Sequence, residues 1–410
     1  MQNRSTLITF LLIVSVILCT AAAASTAQWA VTASYDTVYL VKHEGSTVTS
    51  YQAAKLTDSF LTGIGSYGGY IFVADTITED GKTLGALRVG KISDPVVNPT
   101  IEWVGGPIKL SESGEILKQP RAVTVDSSGG VYIIGGRYQD AYGQQHSNYA
   151  YVKSTNQWAS AQVSVVNMPT TALADIAPIG TGAVVAHRDL IDGIVDQTWV
   201  SRLNGTSVAY GQHLDDGGYL PSGVAAGNNG LIYVANRSTE VEHGDGPVDS
   251  GSISVINANT LASVSPAFDL DDFRPTDISF FTVDGVNYLG LVGTDEGLGQ
   301  ALRVKLGEDG FPLLDEILYK GLDVSTDHYC TLSADGKIMW ATNPQSNTVS
   351  AFDVATWTAQ TTEIGGAGAY ISMLTFAPEA TVPEPSAILA LFTGIVGLFG
   401  AARMRRSARF

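Results

Sequence analysis

Few stretches of this chain pair residue types and spacings that chemistry needs. Gly63-Ile64-Gly65-Ser66-Tyr67-Gly68 matches the Gly-x-Gly-x-x-Gly pattern that cradles a pyrophosphate. That task requires a helix opening directly after the glycines, so that its free N–H groups meet the phosphates. Alternating apolar residues flank this stretch instead, so it reads as a hairpin turn between two strands. Gly81-Lys82-Thr83 has Thr76 where a P-loop needs glycine. Neither His-Glu-x-x-His nor Gly-x-Ser-x-Gly occurs, so no zinc-peptidase helix and no nucleophile elbow is supported. Acidic groups come closer to a site. Asp215-Asp216, Asp269 with Asp271 and Asp272, and Glu242 with Asp245 and Asp249 offer oxygen ligands on turns, the ligand type Ca²⁺ takes. None has the spaced ladder of an EF-hand loop. Solvated turns are the simpler reading, and calcium is the one cofactor these residues suggest.

The elements that carry these residues repeat. A Pro or Asp is followed by alternating apolar residues, a Gly-containing turn and a short apolar run. The pattern begins at Asp58, Pro120, Pro169, Pro221, Pro275 and Asp327, with spacings of 62, 49, 52, 54 and 52 residues. Period-two alternation around Gly, Asn or Asp turns predicts strand-turn-strand. A unit of about 50 residues built of strands predicts a four-stranded propeller blade. Residues 370–377 form a first strand without a hairpin partner, and 29–35, 38–42 and 47–53 form three strands without a first strand. Joined, they complete a seventh blade and leave no open sheet edge in the ring. The expected fold is an all-β seven-bladed propeller over 28–380, closed by a composite blade from both termini. A six-bladed ring with ragged ends is the alternative.

In a propeller, loops entering first strands and leaving second strands share one face. That rim collects Arg121, Arg137, His187, Arg188, Asn236, Arg237, Arg274 and His328. Outside the two ends the chain has 18 basic against 39 acidic residues, so positive charge gathered on one rim suits an anionic glycan or carboxylate. The other reading is that these residues pair with neighbouring Asp and cap strands. The same acidity, without a basic stretch inside the ends, argues against nucleic acid as a partner.

Both ends look like address labels. Residues 1–27 combine Arg4, an apolar run from Leu7 to Leu18 and small residues around Ala22 to Ala27, the layout of a signal peptide. With Cys19 in that leader, Cys330 is left alone and no internal disulfide is expected. At the other end Val382-Pro383-Glu384-Pro385-Ser386 precedes an apolar run, 387–402, and then Arg403, Arg405, Arg406 and Arg409. Sixteen helical residues reach about 24 Å, short for a permanent transmembrane helix and adequate for a transient one. The arginines set the tail in the cytoplasm. Residues 381–410 resemble a PEP-CTERM sorting signal, also described as the C-terminal domain of ice-binding proteins.

That resemblance implies that exosortase, a membrane protease-transpeptidase, recognises Pro383, Glu384 and Pro385. It implies passage through the inner membrane to the cell surface or matrix of an exopolysaccharide-producing host, and nothing about ice. A plain tail anchor is the alternative. Tyr233-Val234-Ala235-Asn236 and Ser254-Val255-Ile256-Asn257 within 221–260, and the stretch 327–357, resemble YVTN-type propeller repeats. The repeats at 58 and 169 fit that pattern poorly. Two functions follow as expectations. One is a non-catalytic binding or scaffold propeller, with an acidic exopolysaccharide as partner. The alternative is a propeller hydrolase or lactonase using His187, His328 and rim carboxylates, with Ca²⁺.

Overall fold

The computed structural model describes residues 27–376, except 80, 94–98, 113–114, 118, 136–137, 140–144, 169–171, 189, 192–193, 196–197, 215, 239–249, 324–327, 334 and 366–370. The signal peptide and the sorting signal with its apolar span, 387–402, lie outside the described residues.

Strands follow one another by antiparallel hairpins around a ring of seven blades. Blade 1 comprises Ser59–Tyr67, Tyr70–Glu79, Lys82–Ser93 and Thr100–Trp103, from the inside outward. Blade 2 comprises Pro120–Val125, Val131–Gly135, Gln145–Ser154 and Ala161–Met168. Blade 3 comprises Leu173–Ile179, Gly182–His187, Trp199–Asn204 and Ser207–Tyr210. Blade 4 comprises Tyr219–Ala226, Leu231–Ser238, Ser252–Asn257 and Phe268–Asp269. Blade 5 comprises Phe273–Val283, Val286–Asp295, Leu298–Leu306 and Pro312–Asp323, and blade 6 Cys330–Leu332, Ile338–Asn343, Thr348–Asp353 and Thr358–Glu363. Blade 7 joins both ends of the domain: Ile371–Phe376 is its inner strand, followed outward by Gln28–Ser34, Thr37–Glu44 and Thr47–Lys55. The closure runs antiparallel from Ala30↔Phe376 to Ser34↔Ile371, so Gln28 and Phe376 lie at the same end of the blade.

Burial explains the composition of each strand. The second strands of blades 2, 3 and 6 are buried along their whole length, because neighbouring blades cover both faces. They therefore read as unbroken runs such as Ile338-Met339-Trp340-Ala341. Outer strands face solvent on one side and alternate, as Thr47–Lys55 does. Each of the seven apolar clusters spans one blade-to-blade interface. Phe72, Leu87, Val123, Ile133 and Trp158 join blades 1 and 2; Ala30 and Tyr39 of blade 7 meet Trp340 and Val349 of blade 6. The glycine-rich stretch at 63–68 is strand and turn. A side chain at Gly63 would stand 2.5 Å from the Arg121 carbonyl, so the glycine lets the inner strands of blades 1 and 2 touch.

Candidate functional site

The inner strands surround a cavity of about 480 Å³ lined by Arg121, Asp175, Asp277, Ser279, Tyr329 and Cys330, among others. One feature recurs in its wall. Near the rim the inner strands of blades 1 to 5 each carry a β-bulge, after Leu61, Pro120, Leu173, Pro221 and Pro275. A bulge leaves one residue without a partner and re-aims its side chain. These extra residues are Thr62, Arg121, Ala174, Ser222 and Thr276.

The hydroxyls at this position bind backbone. Ser222 Oγ donates to the Pro275 carbonyl of the next blade (2.7 Å) and lies 3.1 Å from that of Ala235. Thr276 Oγ1 lies 2.9 Å from the His328 carbonyl and 3.1 Å from that of Val292. Thr62 Oγ1 faces only its own blade, at the Ala74 carbonyl (3.4 Å). Arg121 differs: it is exposed, and its guanidinium makes no ion pair or hydrogen bond with another described residue.

One residue further along, blades 3 and 5 carry Asp175 and Asp277. Asp175 Oδ2 accepts the Val224 N–H of blade 4 at 2.9 Å. Asp277 Oδ2 accepts the Cys330 N–H of blade 6 at 2.7 Å, and its Oδ1 accepts its neighbour Ile278 N–H at 2.8 Å. Burial pushes the Asp175 carboxyl up to about 6, against the pull of the Val224 and Ile176 N–H groups. Burial first, and the Asp175 charge second, hold the Asp277 carboxyl well above the ordinary range. Burial and then Asp277 likewise push up the Cys330 thiol. The thiol is buried, within 3.4 Å of Ser279 Oγ. The wall thus holds two carboxyls that resist ionisation, with a cation near the mouth that has no partner among the described residues.

The topology brings Arg121, Arg188, Arg237 and Arg274 to one end of the blades, where first strands begin and second strands finish. Arg121 and Arg274 sit on the inner strands themselves; Arg188, Arg237 and Arg274 are half-buried. Arg137 lies outside the described residues. Asn236 is fully buried and donates to Ser252 Oγ (3.2 Å) and Ser254 Oγ (2.9 Å) while accepting from Thr198 of blade 3 (2.7 Å). Asn343 holds the same strand-end place in blade 6 and donates to the Leu322 carbonyl of blade 5 at 2.9 Å. This asparagine therefore ties each of these blades to the one before it. His187 is fully buried, its ring stacked on Trp199 with centroids 3.7 Å apart. Burial, with His213 adding to it, lowers its pKa to about 3, so the ring stays neutral. His328 is also buried, with its backbone bound to Thr276.

Among the acidic groups, Asp216 accepts from the Gly218 N–H and from Ser263 Oγ, and Asp269 from the Asp271 N–H. Asp215, Glu242, Asp245 and Asp249 lie outside the described residues. Among the described residues, no three His, Cys, Asp or Glu side chains gather in a way that could hold a metal ion.

Neither a protein-family model nor a curated protein matches this sequence. Solved structures do match its fold. A candidate 6-phosphogluconolactonase from Bacteroides fragilis aligns at a TM-score of 0.58 and 12% identity, over 86% of this chain and 98% of that one. A second such candidate, from Bacteroides uniformis, aligns at 0.56 and 10% identity, over 85% and 99%. A protein of unknown function from Desulfotomaculum acetoxidans aligns at 0.56 and 11%, over 85% and 98%. At these identities the likeness is one of fold alone.

Proposed function

We propose that this chain is an exported, non-catalytic propeller that binds an acidic glycan at its rim. Arg121 carries the reading. At a position where other blades place a hydroxyl bound to backbone, blade 2 places an exposed guanidinium with no partner among the described residues. An unpaired arginine beside an open cavity suits a carboxylate, which it can hold through two parallel hydrogen bonds. Arg188, Arg237 and Arg274 add positive charge at the same end, as does Arg137 in the rim reading of the sequence. The 382–386 motif and the apolar span 387–402 make the rest of the proposal. Exosortase recognises Pro383, Glu384 and Pro385, the helix holds the protein in the inner membrane, and processing releases it to the cell surface or matrix.

Two measurements test these parts. Arg121→Gln should weaken calorimetric binding of an acidic oligosaccharide at least fivefold, and equal affinity would count against the rim. Glu384→Ala should leave the tail uncut in the inner membrane; mass spectrometry of an intact released wild-type chain ending at Phe410 would refute the sorting.

The alternative is a lactonase or related hydrolase. It draws on the Asp175 and Asp277 carboxyls, whose raised affinity for protons in a channel is an arrangement general acid–base chemistry uses. Hydrolysis of a sugar lactone, lost in Asp175→Asn and Asp277→Asn, would favour it over the binding protein.

A further inference from the structure

Tyr35 and Phe60 are large aromatic residues half in solvent, 50% and 49% exposed, with ring centroids 5.6 Å apart and planes tilted by 47°. Both belong to the rim. Tyr35 lies in the turn after Gln28–Ser34, and Phe60 is the second residue of Ser59–Tyr67. Aromatic rings stabilise a fold by leaving water, and these two rings forgo much of that gain.

Their mounting is nonetheless firm. The Tyr35 carbonyl accepts the Leu61 N–H at 2.6 Å. The Phe60 N–H donates to the fully buried Asp75 at 3.0 Å, and Asp75 is paired with Arg88 at 2.6 Å. Arg88 in turn reaches Ser59 Oγ at 3.0 Å. Tyr35 holds a φ of +27° in a tight turn, a place that glycine or asparagine fills with less strain. Exposure, strain and a rigid mount together point to work done by the rings at the surface.

We propose that Tyr35 and Phe60 form a stacking platform for one pyranose ring of a glycan, with Arg121 receiving the carboxylate of an adjoining sugar. This rests on the acidic-glycan reading of the rim and adds the subsite that holds the ring. A pyranose presents apolar C–H faces and a hydroxylated edge, which matches aromatic faces bordered by polar groups. Arg121 is within reach of the same short oligosaccharide. Phe60 stands two residues rimward of Thr62, about 7 Å along the strand. Gly63, the residue after Thr62, lies against the Arg121 carbonyl. Asp58 comes two residues before Phe60 and adds a negative charge that disfavours a carboxylate at the platform, while Asp36, which follows Tyr35, is paired with Lys55 at 3.8 Å and accepts from Thr37 Oγ1 at 2.7 Å. The uncharged face of one sugar and the acidic group of the next therefore take separate places.

The test titrates full-length protein with hexasaccharides of galacturonate, mannuronate and hyaluronate. Wild type should bind at least one of them, and Tyr35→Ala with Phe60→Ala should weaken that binding at least tenfold without lowering the thermal midpoint. Tyr35→Trp should bind as wild type does and shift its tryptophan emission when the sugar is added. If Arg121→Gln weakens binding while the double variant does not, the platform is wrong and the rim reading stands. Should the double variant fail to fold, unchanged emission from Tyr35→Trp bound to the sugar overturns the platform. Binding of none of the three hexasaccharides overturns both.

Discussion

The ring has a stitched arc and an open arc. From blade 3 to blade 6, side chains cross between inner strands: Asp175 to Val224, Ser222 to Pro275, Thr276 to His328 and Asp277 to Cys330. From blade 7 through blade 2 the corresponding region carries Tyr35, Phe60 and Arg121, all exposed. Both arcs have equivalent apolar clusters between their blades. Hydrogen bonds between blades in the open arc include Leu61 N–H to the Tyr35 carbonyl and, at the end away from the rim, Tyr67 Oη to the Ser127 carbonyl, while the exposed rimward side chains present their surface to something outside the fold. The stitched arc shows what those positions do when they serve the fold.

Removing the closing strand should have the largest effect. Internal deletion of 371–376 strips blade 7 of its inner strand and exposes the edge of Gln28–Ser34. Thermal melting should fall by more than about 10 °C or lose its cooperativity; a small shift would mean that packing holds the ring without closure.

The stitches come next. Asp277→Ala leaves the Cys330 N–H without its acceptor and should cost about 1–3 kcal/mol in denaturant unfolding. Asp277→Asn keeps an acceptor and should recover most of this.

Titration distinguishes half-buried Asp175 from fully buried His187, with opposite signs. The folded Asp175 pKa is raised from 3.8 to about 6, so its contribution is fully present below 3.8 and is lost as pH rises through 6. Asp175→Asn should therefore raise stability at neutral pH, by about 1–3 kcal/mol at most. The folded His187 pKa is lowered from 6.5 to about 3, so its contribution is present above 6.5 and lost as pH falls toward 3. His187→Phe should flatten the acid side of the stability profile. A profile unchanged by either substitution would remove these groups from the acid response.

The smallest effects sharpen the comparison itself. Ser222→Ala removes a crossing bond and should cost about 1 kcal/mol. Arg121→Ala at the equivalent place should stay within about 0.5 kcal/mol. Equal losses at the two sites would erase the distinction between the arcs.

Much of the scaffold was legible because hairpins write a period of two into the chain. Pro120, Pro221 and Pro275 each lie within the inner strand their repeat predicts, and 370–377 contains the strand that closes the ring. Even the poorly matching repeats at 58 and 169 form whole blades, since a blade requires buried alternation and not a particular motif. The site was less legible. Asn236 and His187 end apolar runs and so look like rim residues, but pairing extends to them and Thr198 and Trp199 cover them. The bulges shift Asp175 and Asp277 onto neighbouring backbone, an offset that alternation does not reveal. Phe60 reads in sequence as one more apolar strand residue, because nothing local marks it as exposed.

The closing strand also sets how the domain bears force. Backbone bonds of an antiparallel pair run across the strands. The strand Ile371–Phe376 ends at Phe376, opposite the rim end at Ser34. A pull on the chain beyond Phe376, against a domain held at its rim, loads the five pairs from Ala30 to Ser34 in shear, all together. A strand peeled from its side would yield one pair at a time, like a zipper. The strand that closes the ring is thus oriented to resist tension along its own length.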